Sequence, residues 1–219
     1  MSFNIPPVPA HVYVTAIRRL RVIAYNSLMN VLYVNGHPDM KSFHVAIRDH
    51  YLKGVDSTKH VVKVLDLGTL TFDPVLRSGY REHMPEDPVI TESQKLVAWA
   101  DHIIFTYPIW WGTPPSLLTG WIARTFTPGF AYNRTESFFK YVRRLTGKTS
   151  DLIVTSGTPR LLWMFTGNSG TAPFVRNLFM LTGIKKRKIL TLSSMTLKSD
   201  TAARRQKFLE KVRKMAASL

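Results

Sequence analysis

Apolar residues along the chain fall into short, nearly unbroken runs, each followed by a turn-forming cluster and then by a stretch where apolar positions recur at helical spacing. Residues 31–35 form the first run, rich in β-branched and large apolar side chains, and Gly36, His37, Pro38 and Asp39 end it as a strong turn. Residues 41–51 then place Phe43, Val45, Ala46 and Ile47 among charges, which predicts a helix. Further strands are predicted over 61–66, over 102–107 with a break at Pro108, over 152–155 and over 188–192. The run at 102–107 is almost wholly apolar, the pattern of a strand buried on both faces. Helices are expected over 91–99, with Thr91 as N-cap and Gln94 at the capping-box position, and over 114–126, opening on prolines. Two more are expected over 173–182, stopping at Gly183, and over 202–217. Residues 68–88 are irregular.

Strand and helix thus alternate five times, which predicts an α/β fold: a five-stranded parallel sheet with helices on both faces. In such sheets ligands bind beyond the carboxyl ends of the strands, so the loops following the strands are the ones to inspect. Three stand out. The first runs from Gly36 through His37 and Ser42 to His44; its backbone amides at a helix start and its side-chain donors suit a phosphate, and an ordinary capped turn fits it equally well. The second, Pro108, Ile109, Trp110, Trp111 and Gly112, carries two adjacent indoles that cannot both face one core, so at least one is expected to wall a pocket. The third, Thr155, Ser156, Gly157 and Thr158, combines small residues, which let backbone approach a ligand, with hydroxyls that can bond it.

Composition narrows the chemistry. The 219 residues are 45% hydrophobic, material for one well-packed medium domain. With no cysteine, disulfides, thiolate metal sites and thiol nucleophiles are excluded, and a cytoplasmic location is expected. No apolar run approaches the ~18 residues that span a bilayer. The net charge is +16, of which residues 134–219 carry +14. That bias reads first as a solvated basic surface, with contact to an anionic surface as the alternative. Several chemistries find no support. Gly147, Lys148 and Thr149 mimic the end of a phosphate-binding loop but precede a strand, whereas such a loop follows one. There is no GxGxxG or GxSxG motif, no metal-ligand spacing among the histidines and no aromatic-basic nucleic-acid module, so neither a metal nor a nucleic-acid partner is expected.

At the second loop a specific likeness emerges. Residues 108–115, then Leu118, Gly120, Trp121, Ile122, Arg124, Phe126 and Gly129 to Tyr132, resemble the signature of the NAD(P)H:quinone reductase and flavodoxin-like NAD(P)H oxidoreductase family. Asn35 to Pro38 with Ser42 and Phe43 is similar to that family's first loop, and Thr155 to Gly157 to its third. The likeness runs from residue 29 onward; residues 1–28, with Arg18, Arg19 and Arg21 and no acidic side chain, stand outside it as an extension.

The resemblance implies a flavodoxin-like homodimer that binds FAD or FMN and passes hydride from NAD(P)H to a quinone or a similar small planar acceptor. Carried over position by position, His37, Ser42, Phe43 and His44 would lie on the phosphate side of the flavin. Pro108, Ile109, Trp110, Trp111, Gly112, Thr155, Ser156, Gly157 and Thr158 would flank its ring. No residue is assigned as acid or base, since the flavin itself carries the hydride. This chain departs from the family pattern at Thr158, where a second Gly is usual, at Trp163, roughly where a Tyr stands, and at His44, where Asn is common. A regulatory, non-catalytic flavodoxin-like subunit is the alternative reading.

Overall fold

A computed structural model describes residues 28–82, 84–136, 141–165 and 170–219. Five parallel strands form the central sheet: β1 (Met29–Asn35), β2 (His60–Asp66), β3 (His102–Ile109), β6 (Thr149–Ser156) and β7 (Lys185–Leu192). Their order is β2-β1-β3-β6-β7. A separate antiparallel pair, β4 (Tyr132–Arg134) and β5 (Tyr141–Arg143), carries no apolar run long enough to have been expected. The helices are α1 (Phe43–Leu52), α2 (Pro88–Trp99), α3 (Ser116–Thr125), α4 (Arg160–Phe165), α5 (Phe179–Thr182) and α6 (Ala202–Ala216), with a π-helical turn at Pro173–Leu178 leading into α5.

Alternation along β1, β3 and β6 sorts the core into two layers. Leu32, Val34, Ile103, Phe105, Leu152 and Val154 face α2, α3 and the aromatic pair Phe174 and Phe179. Val31, Tyr33, Ile104 and Ile153 face Ile47 and Tyr51 of α1 and Phe208, Leu209 and Val212 of α6. The fold is therefore the expected one, with the strand order reversing between β1 and β3. The extension over 1–28 lies, apart from Leu28, outside the described residues. No helix among the described residues is long and apolar enough to cross a membrane, and no group of three acidic or histidine side chains among them could hold a metal ion.

Several boundaries differ from expectation for local reasons. β3 does not break at Pro108 but runs to Ile109. Thr106 turns its carbonyl toward β1, accepting from the Gly36 amide at 2.8 Å, and β1 pairs no further than Asn35 opposite Thr106. The missing N–H of Pro108, two residues on, therefore points past the end of β1 and interrupts no ladder. Helix α2 starts at Pro88 rather than near Thr91, because the Asp87 carboxylate accepts from the amides of Val89 and Ile90. Gln94 instead donates across to Thr125 O and Thr127 Oγ1. β7 begins three residues early, taking Lys185, Lys186 and Arg187 into the strand. Lys148, of the motif that mimics a phosphate loop, donates to the carbonyls of Ala98 and Ala100 and so caps the C-terminus of α2.

Candidate functional site

The loops after β1, β3 and β6 open at one end of the sheet, beside the β1/β3 switch point. The first is fixed from below. Asn35, fully buried, donates to Asp66 and accepts from the His37 amide, while Gly36 lies so close to α3 that a Cβ there would sit 2.6 Å from Leu118. His37 Nδ1 accepts from the Asp39 amide at 2.9 Å, which leaves the proton of the neutral ring on Nε2. Burial lowers the His37 pKa, with Asp39 opposing. Ser42 occupies the N-cap position of α1, yet its hydroxyl makes no cap bond; Oγ is buried and has no hydrogen-bond partner.

The second loop is a two-residue turn. Trp110 and Thr113 exchange backbone hydrogen bonds at 2.9 Å, with Trp111 (φ 50°) and Gly112 (φ 75°) both left-handed at its tip. That conformation is routine for glycine but uncommon for a bulky residue. Trp111 is wholly exposed, whereas Trp110 keeps 44% exposure and meets the His37 ring edge-on at 5.4 Å.

In the third loop, Ser156 Oγ accepts from the Thr158 amide, and the Thr196 hydroxyl donates to Gly157 O. A Cβ on Gly157 would meet Thr196 Cγ2 at 2.9 Å. Ile109, Trp111, Gly112, Ser156, Thr158, Leu162, Trp163 and Gly170 enclose a cleft of about 500 Å³. That size falls within the range of small-molecule and cofactor sites. Its walls are apolar with a few hydroxyls. Beneath it, the Tyr107 hydroxyl donates to Gly170 O and its ring stacks on Phe174, so burial raises the Tyr107 pKa.

Residues 29–216 match the family model described as the flavodoxin-like fold. The chain belongs to that family. Among curated relatives it is similar to NAD(P)H dehydrogenase (quinone) 1 of Cavia porcellus, with 27% identity over 66% of this chain and 59% of that protein. It therefore spans about three fifths of that relative's length. Smu.1420 of Streptococcus mutans has a solved structure that superposes with a TM-score of 0.76 at 30% identity, over 87% of this chain and 100% of that one. An FMN-dependent NADH-azoreductase of Bacillus anthracis, solved with FMN, shares the fold at 17% identity and a TM-score of 0.69, over 87% of this chain and 99% of that one.

Within this flavodoxin-like chain the expected site residues separate by where they sit, in four places. Ile109, Trp111, Gly112, Ser156 and Thr158 line the cleft, with Gly157 between the last two. His37, Ser42 and Trp110 gather at the first loop, beside it. Phe43 turns away, lying under the Arg205 guanidinium at 5.3 Å. Pro108, Thr155 and His44 are buried. His44 departs furthest from expectation: it is 2% exposed and presents no free donor, because its ring nitrogens meet Thr106 Oγ1 and Thr155 Oγ1, both at 2.9 Å. A helical residue's side chain leans back toward the N-terminus, and from the second position of α1 that carries the ring down onto the sheet. Burial, aided by His37, holds its pKa down to about 3, so the ring is neutral at ordinary pH. Trp163, which stands roughly where the family has a Tyr, is a cleft wall, and Leu162 and Gly170, not among the expected residues, line it too. The apolar run Leu161, Leu162, Trp163 just after the third loop was the available signal.

Proposed function

We propose that the chain is a flavin-dependent oxidoreductase that passes hydride from NAD(P)H to a quinone or a similar small planar acceptor. The observation that carries this reading is a cleft at the carboxyl ends of β3 and β6, walled by the second and third loops and by α4, with no ionisable side chain among its described lining residues. The Ser42 hydroxyl, buried at a helix start without a partner, suits a phosphate oxygen of FMN or FAD as its acceptor. His37 would offer Nε2–H to the same group. Ile109, Trp111 and Trp163 would hold the flat ring by packing, while Ser156 and Thr158 would bond its polar edge.

A bound flavin supplies the hydride relay between nicotinamide and acceptor. The protein's part is to orient both reactants on one exposed ring face and to exclude water from the other. No described residue of the cleft can deliver a proton, so protons come from solvent. Hydride addition to a quinone gives a hydroquinone anion, which takes its proton from water, so such an acceptor needs no acid from the protein. A homodimer is part of the proposal: Val75 and Tyr80 on the irregular segment are about half exposed, as the face of a two-fold contact would be.

Absorbance of the purified protein tests this directly, followed by release and identification of the chromophore and by stopped-flow mixing with NADH or NADPH. The expected outcome is a bound flavin reduced by the nicotinamide and reoxidised by quinone. Flavin bound without turnover would move the assignment to a regulatory subunit, and a colourless protein that binds neither FMN nor FAD would overturn it.

A further inference from the structure

We propose that His44 positions the flavin site without touching the flavin, acting as a single brace for all three loops. The proposal rests on the functional reading above and concerns a residue that the resemblance would place among the flavin contacts. One ring nitrogen reaches Thr106 Oγ1 on β3 and the other Thr155 Oγ1 at the start of the third loop, both at 2.9 Å and both enclosed. The same ring stacks on His37 of the first loop, with centroids 5.4 Å apart and planes at 26°. His37 in turn supports Trp110 of the second loop. The Thr106 carbonyl also holds the Gly36 amide, so the brace is anchored where the first loop leaves its strand.

An imidazole suits this task. A neutral ring carries one donor and one acceptor, and each threonine hydroxyl can take the complementary role, so both bonds form without burying a charge. The elements joined are distant in sequence, with 62 residues separating His44 from Thr106 and 111 separating it from Thr155. The loop assigned to the flavin phosphates and the loop assigned to its ring are therefore held in one register by one side chain.

The test is a flavin titration of His44→Phe, Thr155→Val and the double variant, with Thr155→Ser as the hydroxyl-retaining control. Kd for FMN and for FAD is read on the flavin-free proteins, beside their melting temperatures and the kcat and KM of the reconstituted enzymes. His44→Phe and Thr155→Val should each raise the flavin Kd at least tenfold. The double variant should be no worse than the more severe single one, and Thr155→Ser should restore wild-type affinity. KM for the acceptor should change less than kcat, because the ring is misplaced rather than the acceptor's wall removed. If His44→Phe does not fold, the Thr155→Val and Thr155→Ser pair decides alone. Wild-type affinity in Thr155→Val or His44→Phe, or strictly additive losses in the double variant, would overturn the brace while leaving the flavin assignment intact. A wild-type protein that binds no flavin would remove both.

Discussion

At the amino end of the central sheet charged side chains pair with one another or with backbone, whereas the carboxyl end opens into a cleft whose described lining carries no charge. His102 and Asp151 are both fully enclosed at the amino end, 3.4 Å apart, with His102 Nδ1 meeting Thr149 Oγ1 and Asp151 accepting from the Lys188 amide. A register shift between β6 and β7 lies at this carboxylate, which takes a backbone N–H that the ladder would otherwise have paired. Burial pushes the Asp151 carboxyl up, yet its contact with His102 and the Lys188 amide bring it below the ordinary carboxylate value. Lys148 caps α2, and Arg187 and Lys188 tie β7 to Ser218 beyond α6. The carboxyl end keeps a left-handed tryptophan and a glycine with no room for a side chain, while buried polar atoms without a hydrogen bond occur at both ends, Ser42 Oγ at this one and His60 Nδ1 and Ser150 Oγ at the other. The charge density and the proposed site thus lie at opposite ends of the sheet.

The largest effect expected from breaking this contrast is at the amino end. Asp151→Ala strands His102 and the Lys188 amide in an enclosed space, and losing one partner of such a pair costs about 3 kcal/mol. Denaturant unfolding should show that loss, while the flavin Kd of the folded fraction stays at its wild-type value. A parallel drop in affinity would mean that the two ends are mechanically coupled and the contrast is false.

Acid sharpens the contrast next. Because His44 is neutral in the fold with a pKa of about 3, the unfolded chain takes up its proton first as pH falls through the ordinary histidine value of 6.5. Stability is therefore full above that value and declines between it and about 3, by roughly 1.4 kcal/mol per pH unit from this group. His37 and His60 are shifted the same way. The informative quantity is thus the difference between wild type and His44→Asn, which should lose about 2 kcal/mol of its pH dependence between pH 6.5 and 5. Equal slopes for the two proteins would show that the ring is protonated in the fold.

Trp111 should separate stability from function. Its side chain buries nothing in the free protein and its backbone is left-handed, so Trp111→Gly should stabilise the fold by about 1 kcal/mol. The same change removes a cleft wall, and flavin or acceptor binding should weaken about fivefold. A variant that is both less stable and unchanged in binding would show that the indole packs elsewhere.

The sheet was legible because its three central strands are nearly continuous apolar runs, as burial on both faces requires, while the edge strands β2 and β7 carry shorter apolar stretches with one side left exposed. The three loops were legible because a parallel sheet puts every strand-to-helix turn at one end. What sequence could not show was direction. His44 and Ser42 sit two residues apart in one polar turn, and only the start of α1 decides that one ring goes under the loop while the hydroxyl stays beside the opening. The helix expected over 173–182 is present, but patterning does not show that its first part, Pro173–Leu178, is wound as a π-helical turn that seats Phe174 on Tyr107. The N-cap lies at Asp87 rather than at the expected Thr91, and Pro88 after it sits in the first turn, where its missing N–H disrupts nothing.

The smallest effect is expected from the most conspicuous charges. Lys185 and Lys186 open β7 and are exposed, and the cleft lies beyond the other end of the sheet. At ~3.3 Å per residue, the eight-residue strand puts roughly 23 Å between its ends. That is more than twice the screening length of ~8 Å at physiological salt. Replacing both lysines by Gln should therefore change stability by no more than about 0.5 kcal/mol. The KM for NAD(P)H should stay within about twofold in 0.15 M salt, and only adsorption to anionic surfaces should fall. Lys188 is left in place, because its ammonium donates to Ser218 and its loss would confound charge with packing. A tenfold rise in the nucleotide KM with the fold intact would bring these cations within reach of the cofactor phosphates. The amino end of the sheet would then belong to the site, and the division between a stapled end and an open end would have to be redrawn.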